Sequence, residues 1–437
     1  MLNRTILDSL ISWKETKTSQ GLLITGARQV GKTSIIEAFA AQHYGSLIKI
    51  DFVEKPEAVS IITQAKSLDD LLIRITALAA NPLGEQKTLL FFDEVQRCGD
   101  AITWMRYLSS DPRLDVIYSG SLLGVEAFDF RSLPVGTIDI LEMFPMTFRE
   151  FTWAAGFDES LWLIVEDCFQ KAEPVPDFIH DRLIDLYYQY ALVGGMPEAV
   201  QTFVDTHDTQ AMRARQHAIL DGYRADITRY VTDPVHAQRI KTIFDAAPAQ
   251  LNKENKRFII SSIDKKRRFE DYQSDFDWLT NAGVVLPVKR VSEAQFPLGL
   301  VRDDSFFKLY LNDVGLLFST FSNADVLAIL DRRDQVNFGQ VFENVTAQEL
   351  RSHGRPSLYY FNKTKVGEVD FLIEDRREPV VIPVEVKSGE NSHAHAALDH
   401  LLDVKNYHLE KAVVLHRKNV EKGGRVLYLP LYMVGLL

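Results

Sequence analysis

The chain has 437 residues, carries a formal net charge of −11, and is 46% apolar and 25% charged. That balance excludes a disordered chain, which lacks the apolar content for a core. Overall acidity excludes a protein that coats nucleic acid through bulk charge, although a local basic surface remains open. Cys98 and Cys168 are its two cysteines, far apart in sequence, so a disulfide scaffold is excluded and a reducing, cytoplasmic compartment is expected. The first twenty residues hold no uninterrupted apolar stretch of a secretory signal. No apolar run approaches the ~18 residues of a membrane span, so no membrane partner is expected. The length accommodates about two to four domains, each able to bury its own core.

Residues 1–152 alternate short apolar runs with amphipathic segments. Gly21–Thr25, Leu47–Asp51, Thr88–Asp93 and Asp115–Gly120 read as buried strands with helices between them, the pattern of an α/β parallel sheet. Directly after the first strand comes Gly26-Ala27-Arg28-Gln29-Val30-Gly31-Lys32-Thr33, followed by Ser34. This is a complete G-x-x-x-x-G-K-[ST] phosphate loop in a strand-to-helix context. Its glycines let successive N–H groups curl toward a phosphate, and the helix N-terminus adds partial positive charge. Lys32 is placed to reach the β- and γ-phosphates and Thr33 to ligate Mg²⁺.

About sixty residues on, Leu89-Leu90-Phe91-Phe92-Asp93-Glu94 is a buried strand with two acids at its tip. Asp93 suits the Mg²⁺ shell, and Glu94, one residue further out, suits polarising a water. Together they favour hydrolysis over binding alone. Ser119, at the end of the next strand, is a candidate γ-phosphate sensor, although a plain Ser-Gly-Ser turn fits equally. Spacing selects no arginine finger among Arg106, Arg113 and Arg131.

Residues 153–335 read as mostly helical. Leu183, Leu186, Tyr187 and Tyr190 form one helical face; Pro197 opens a following helix; Ala172–Asp177, with two prolines, is a linker candidate. A stripe of Phe269, Tyr272, Phe276 and Leu279 leads into a hairpin at 283–291, the outline of a winged-helix module. The basic run Lys265-Lys266-Arg267-Arg268 precedes it, with Lys253, Lys256, Arg257, Lys289 and Arg290 nearby. This suits phosphate contacts with DNA, or else a solvated face balanced by Glu270, Asp271, Asp275 and Asp277.

Residues 336–437 form a separate α/β unit. In VVIPVEVK, alternation puts Glu385 and Lys387 on one face, about 7 Å apart. A hairpin would bring Asp370 of Glu368-Val369-Asp370 beside Glu385, with Glu343 of the preceding helix as a third carboxylate. Converging carboxylates with a lysine suit a Mg²⁺ site for phosphodiester cleavage. A half-buried strand with a cross-strand salt bridge gives the same pattern.

The chain resembles the prokaryotic AAA-type ATPases with a C-terminal DUF4143 region. The resemblance rests on GARQVGKTS at 26–34, LLFFDEVQR at 89–97, YSGSLLG at 118–124 and FPMTFREF at 144–151. It continues through LVGGMPEAV at 192–200, FKLYLNDVGLL at 307–317, VFENVTAQEL at 341–350, GEVDFLIE at 367–374 and PVEVKSGEN at 383–391. It implies a P-loop NTPase sheet over 1–152, a helical and winged-helix region over 153–335, and a PD-(D/E)xK nuclease-like unit over 336–437. Glu343, Asp370, Glu385 and Lys387 then fall on nuclease-like positions. It also implies ATP as the nucleotide; Mg²⁺ at Thr33 and Asp93 and DNA at the basic run are expected from the residues themselves, and a homo-oligomer or a protein partner stays open. One departure stands out: Gly136-Thr137 occupies the place where such proteins often carry Gly-Arg, so a finger role is vacant or falls to another residue such as Arg131. The expected activity is ATP hydrolysis whose nucleotide state controls the C-terminal half. The alternative is a nucleotide-gated switch with a catalytically silent nuclease-like unit.

Overall fold

The computed structural model describes residues 2–17, 20–84, 87–120, 138–253, 255–322, 324–325, 338–389 and 391–437. They fall into two compact units, one of Asn3–Phe144 with Asn281–Gly283, the other mainly of Pro145–Thr280 and Val284–Leu437. Among the described residues, no helix is long and apolar enough to cross a membrane.

The first unit is built on five parallel strands: β1 (Gly21–Thr25), β2 (Ser46–Asp51), β3 (Thr88–Asp93), β4 (Leu114–Ser119) and β5 (Ile138–Glu142). Four match the apolar runs read from sequence. The fifth, IDILE, pairs with β1 at the sheet edge and is partly exposed, so it lacks the continuous apolar signature of a buried parallel strand. The spatial order β2-β3-β4-β1-β5 has one consequence for chemistry. Inserting β4 between β1 and β3 sets the carboxyl ends of these three strands side by side, where α/β sheets bind ligands. The core beneath is apolar and aromatic, with Phe52, Phe92 and Tyr118 stacked at ring separations of 6.0 and 5.1 Å.

The second unit combines a helical array with an eight-stranded mixed sheet. The helices are Phe148–Ala154, Glu159–Lys171, Asp177–Val193, Pro197–Thr206, Thr209–Tyr230 and Pro234–Leu251. Leu183, Leu186, Tyr187 and Tyr190 are fully buried, and Pro197 opens its helix. The linker candidate Ala172–Asp177 is held in place: the Asn419 side chain donates to Val175 O at 2.6 Å and accepts from Val175 N at 2.8 Å.

The sheet comprises β6 (Val285–Val291), β7 (Arg302–Leu311), β8 (Leu358–Lys363), β9 (Gly367–Glu374), β10 (Val381–Val386), β11 (Ala412–His416), β12 (Glu421–Gly423) and β13 (Val426–Pro430). Its order is β12-β13-β11-β10-β9-β8-β6-β7. The hairpin expected at 283–291 is instead one strand, β6, whose antiparallel partner is the later β7. It is not a free-standing wing, because β6 also pairs in parallel with β8, Val288 opposite Leu358. The sheet therefore crosses the boundary expected near residue 335. A hairpin with a free edge is costly to leave exposed, and continuation into β8 removes that edge from β6.

The helix Gly339–Ser352 buries every residue from Gln340 to Leu350. Its polar side chains are therefore hydrogen-bonded, as burial demands. Asn344 bonds both Leu311 N and Leu311 O at 3.0 Å; Gln348 accepts from Val314 N at 3.0 Å and donates to Tyr190 at 2.8 Å; Glu349 accepts from Phe148 N at 2.8 Å. A second lock joins remote motifs. Asp313 caps the helix Val314–Phe318 through Leu316 N at 3.1 Å and accepts from Gly195 N at 2.5 Å. Gly194 has φ +74°, and a Cβ on Gly195 would stand 2.0 Å from Met146 O. Only glycines fit that approach. Burial pushes the Asp313 carboxyl up to about 6, against the pull of the Gly195, Leu316 and Gly315 N–H groups.

Candidate functional site

The phosphate loop runs from Thr25 at the end of β1 to the helix Lys32–His43, whose buried face includes Ile35, Ile36, Phe39 and Ala40. Both motif glycines have positive φ, +145° at Gly26 and +95° at Gly31. A Cβ on Gly26 would lie 2.2 Å from Met143 O, so the loop passes too close to the segment after β5 for any side chain. Gly31 is the N-cap of the helix and gives its first N–H groups no side-chain cap, the kind of helix start that receives phosphate oxygens. Arg4 fixes the loop from the N-terminal segment, donating to Val30 O at 2.8 Å and Phe144 O at 2.6 Å.

Lys32 is buried, and its ammonium folds back over the loop to Gly26 O at 3.0 Å and Ala27 O at 2.8 Å. Burial pulls its pKa down to about 8; Glu94 and Asp93 oppose that fall and Arg28 adds to it. Thr33 Oγ1 donates to Asp93 Oδ2 at 2.6 Å, and Ser119 donates to Asp93 Oδ1. The two hydroxyls thus clamp one buried carboxylate at the tip of β3. Ser119, the sensor candidate, uses its hydroxyl on Asp93. Glu94 has φ +54° and accepts a hydrogen bond from the Gln96 amide.

This donor set fits a magnesium nucleotide: a carboxylate and a hydroxyl in contact, backbone N–H groups at a helix start, and a buried lysine. Sequence reasoning missed Lys49 of β2, whose ammonium lies 2.8 Å from Glu37 and 4.0 Å from Asp93 Oδ2. The register Asp51 opposite Asp93 places it there, and a pairing between strands is not legible in either strand alone. Arg113 is held by Asp111 at 2.6 Å just before β4, at the strand end away from the loop, whereas Arg106 is exposed. Arg131, Gly136-Thr137 and the motif beyond Gly120 lie outside the described residues.

The residues expected at nuclease-like positions, Glu343, Asp370, Glu385 and Lys387, all lie in the second unit. Asp370 of β9 accepts from Val386 N at 3.0 Å at the end of β10, and Lys387 Nζ lies 2.9 Å from Glu385 Oε1. Glu343 joins from the helix Gly339–Ser352, accepting from Tyr310 OH at 2.7 Å and paired with Lys256. Asp370 thus lies beside the end of β10, and Glu343 approaches from the helix. What sequence reasoning missed is Lys308 of β7, which reaches across β6 and β8. Its ammonium stands 2.8 Å from Glu368 Oε1, 3.6 Å from Asp370 Oδ1 and 3.8 Å from Glu343 Oε2. Burial alone would lower Lys308, but Glu343, Asp370 and Glu368 outweigh it and hold its pKa above the ordinary value. Burial raises Glu385 to about 7, with Asp370 adding and Lys387 opposing. The available signal was a lysine inside the apolar run Phe306-Phe307-Lys308-Leu309-Tyr310-Leu311. Among the described residues, no group of three or more His, Cys, Asp or Glu is arranged to hold a metal.

Three family models match the chain in succession: an AAA domain over residues 18–152, a domain of unknown function, DUF8612, over 184–325, and another, DUF4143, over 338–433. No curated protein matches it in sequence. Among solved structures it is similar to a Walker-type ATPase of Pyrococcus abyssi, at 13% identity and TM-score 0.43, covering 76% of this chain and 96% of that one. It is also similar to the ORC1 protein of Aeropyrum pernix in complex with DNA, at 12% identity and TM-score 0.28, covering 75% and 90%. A third is the Hsp104–ADP complex of S. cerevisiae, at 13% identity and TM-score 0.30, covering 81% and 42%.

Proposed function

We propose that the first unit binds ATP and hydrolyses it with Mg²⁺ at the adjoining carboxyl ends of β1, β4 and β3. The observation that carries this is the contact of Thr33 with Asp93 at 2.6 Å beside a complete phosphate loop. Thr33 and Asp93 would hold Mg²⁺, which when bound neutralises charge on the phosphate oxygens. Lys32 leaves the loop carbonyls for the phosphates, exchanging two neutral acceptors for charged ones. The loop N–H groups orient the phosphate chain, and Ser119 keeps Asp93 aligned from the other side. Glu94, one residue past Asp93 and partly exposed, takes the proton of the attacking water.

The nucleotide state then governs how the second unit engages a nucleic acid. The support is local charge: Lys265, Lys266, Arg267 and Arg268 are all exposed, although the chain as a whole is acidic. The test is ATP turnover by the purified full chain with and without duplex DNA. Lys32→Ala should lose ATP binding, whereas Glu94→Gln should bind and fail to turn over. Wild-type turnover raised several-fold by DNA, and lost on neutralising Lys265–Arg268, supports the coupling. Turnover indifferent to DNA leaves the ATPase reading intact and removes the nucleic-acid one. The nucleotide-gated switch is the second reading, favoured by the lysine seated within the C-terminal carboxylates.

A further inference from the structure

A divalent-metal site needs carboxylate oxygens that converge on one point, at about 2.0–2.6 Å from the ion, and are free to bind it. In the second unit the point of convergence is taken. Lys308 Nζ, fully buried, stands 2.8 Å from Glu368, 3.6 Å from Asp370 and 3.8 Å from Glu343. Most of the other carboxylate oxygens are committed as well. Glu343 accepts from Tyr310 at 2.7 Å and pairs with Lys256; Asp370 Oδ2 takes Val386 N at 3.0 Å; Glu368 Oε2 takes the Asn362 amide at 2.7 Å; Glu385 Oε1 pairs with Lys387 at 2.9 Å. Four carboxylates are thus met by three ammonium groups. A divalent ion entering among them would meet the fully buried Lys308 charge at contact range, where little water lies between to screen the repulsion. Lys308 is anchored in β7 and has no exposed surface toward which to withdraw.

We propose that Lys308 is the resident cation of this cluster: the second unit carries the acidic residues of a metal-dependent nuclease site with an ammonium in the metal's place. The residues expected to fit a Mg²⁺ ion do not fit it, and no metal-assisted cleavage runs through them. The carboxylates instead form a half-buried polar cluster around a fully buried ammonium, and it ties β7, β9, β10 and the helix Gly339–Ser352 together without a divalent ion. This holds whether or not the first unit hydrolyses ATP.

The experiment uses the full chain without nucleotide, in an Asp93→Asn background that disables the metal position of the phosphate-loop site. Mn²⁺ binding is followed by electron paramagnetic resonance, and Tm is compared in EDTA and in Mn²⁺. The parent should show no saturable Mn²⁺ binding and no Tm shift. Lys308→Met should gain a Mn²⁺ site at least roughly tenfold tighter, since a positive charge at contact range is removed, and its lowered Tm should climb with Mn²⁺. Saturable binding by the parent that Asp370→Asn abolishes overturns the proposal. So does a folded Lys308→Met protein that gains no site, or divalent-dependent nicking of duplex DNA by the wild-type chain that Asp370→Asn removes. If Lys308→Met does not fold, the parent titration decides alone, binding against the proposal and its absence for it.

Discussion

Two groups of carboxylates in this protein are set apart by their partners: Asp93 ends β3, whereas Glu343 lies on a helix and Glu368 and Asp370 lie within β9. Asp93 is met by neutral donors: the hydroxyls of Thr33 and Ser119 and the N–H of Glu94, with the nearest lysine ammonium at 4.0 Å. A hydroxyl that donates to a carboxylate can turn and offer its oxygen to a cation beside it. Glu343, Glu368 and Asp370 are met by a buried ammonium, which donates hydrogen bonds only and already supplies the positive charge. Counting acids would rank the second group as the better metal site. The counter-groups reverse that order.

The comparison is tested hardest by removing one member from each group. Glu94→Gln keeps the shape of the first site but removes its proton acceptor. ATP turnover should fall roughly 10²–10⁴-fold, the usual contribution of a general base, with ATP affinity changed little. A parallel loss of affinity would mean that Glu94 shapes the loop and is not the base. In the second group, Lys308→Met leaves three carboxylates facing an uncharged side chain. Unfolding in urea should show a loss of about 3–5 kcal/mol, as for a buried ion network that loses one partner. Glu368→Gln added to Lys308→Met should recover part of it. An unchanged midpoint would show that Lys308 is not the charge holding this group together.

A smaller effect probes a buried carboxylate held by backbone N–H groups. Asp313 is fully buried and serves the N–H groups of Gly195 and Leu316 through separate oxygens. Asp313→Asn keeps one acceptor and turns the other into a donor facing a donor. The expected cost is about 1–3 kcal/mol, that of a buried group left unsatisfied, read from the thermal or urea transition.

How much of this was legible in the sequence follows from the range of each signal. The phosphate loop was legible because its chemistry is local: strand, glycines, lysine and helix are contiguous. β1, β3 and β4 were legible because burial on both faces writes a continuous apolar run; β2, at one edge and buried at Ile48 and Ile50, was legible from its short apolar core, and β5, half-exposed at the other edge, wrote none. The hairpin β9–β10 was legible from alternation, and it brought Asp370 to the end of β10 as expected. The pairing of β6 with β8 was not, because no residue of Val285–Val291 announces a parallel neighbour some seventy positions away. Lys308 was missed for a related reason. A lysine in an apolar run signals a buried charge, but its partners lie on β9 and on a helix, in parts of the chain that only the closed sheet brings together. Arg4, which pins the phosphate loop from outside the motif, likewise carries no local mark.

The mildest expected effect follows from Lys32, the buried lysine of the phosphate loop. Burial lowers the Lys32 pKa from 10.5 to about 8 in the nucleotide-free protein, whereas phosphate oxygens require the charged form. Below about pH 8 the ammonium is already present, and this group gives ATP affinity no pH dependence. Above it, each binding event must take up a proton, so affinity should fall with rising pH, by at most about tenfold per pH unit. Folding of the free chain shows the opposite sign: between about 8 and 10.5 the unfolded state holds more protons at this site, so its contribution to stability rises with pH. Titration calorimetry at pH 9 in two buffers of different ionisation enthalpy measures the uptake directly. Lys32→Arg, whose guanidinium does not titrate in this range, should show none. Equal heats in both buffers for the wild-type chain would place the Lys32 proton on the protein before ATP arrives, and the buried lysine would then be a fixed charge like its arginine replacement.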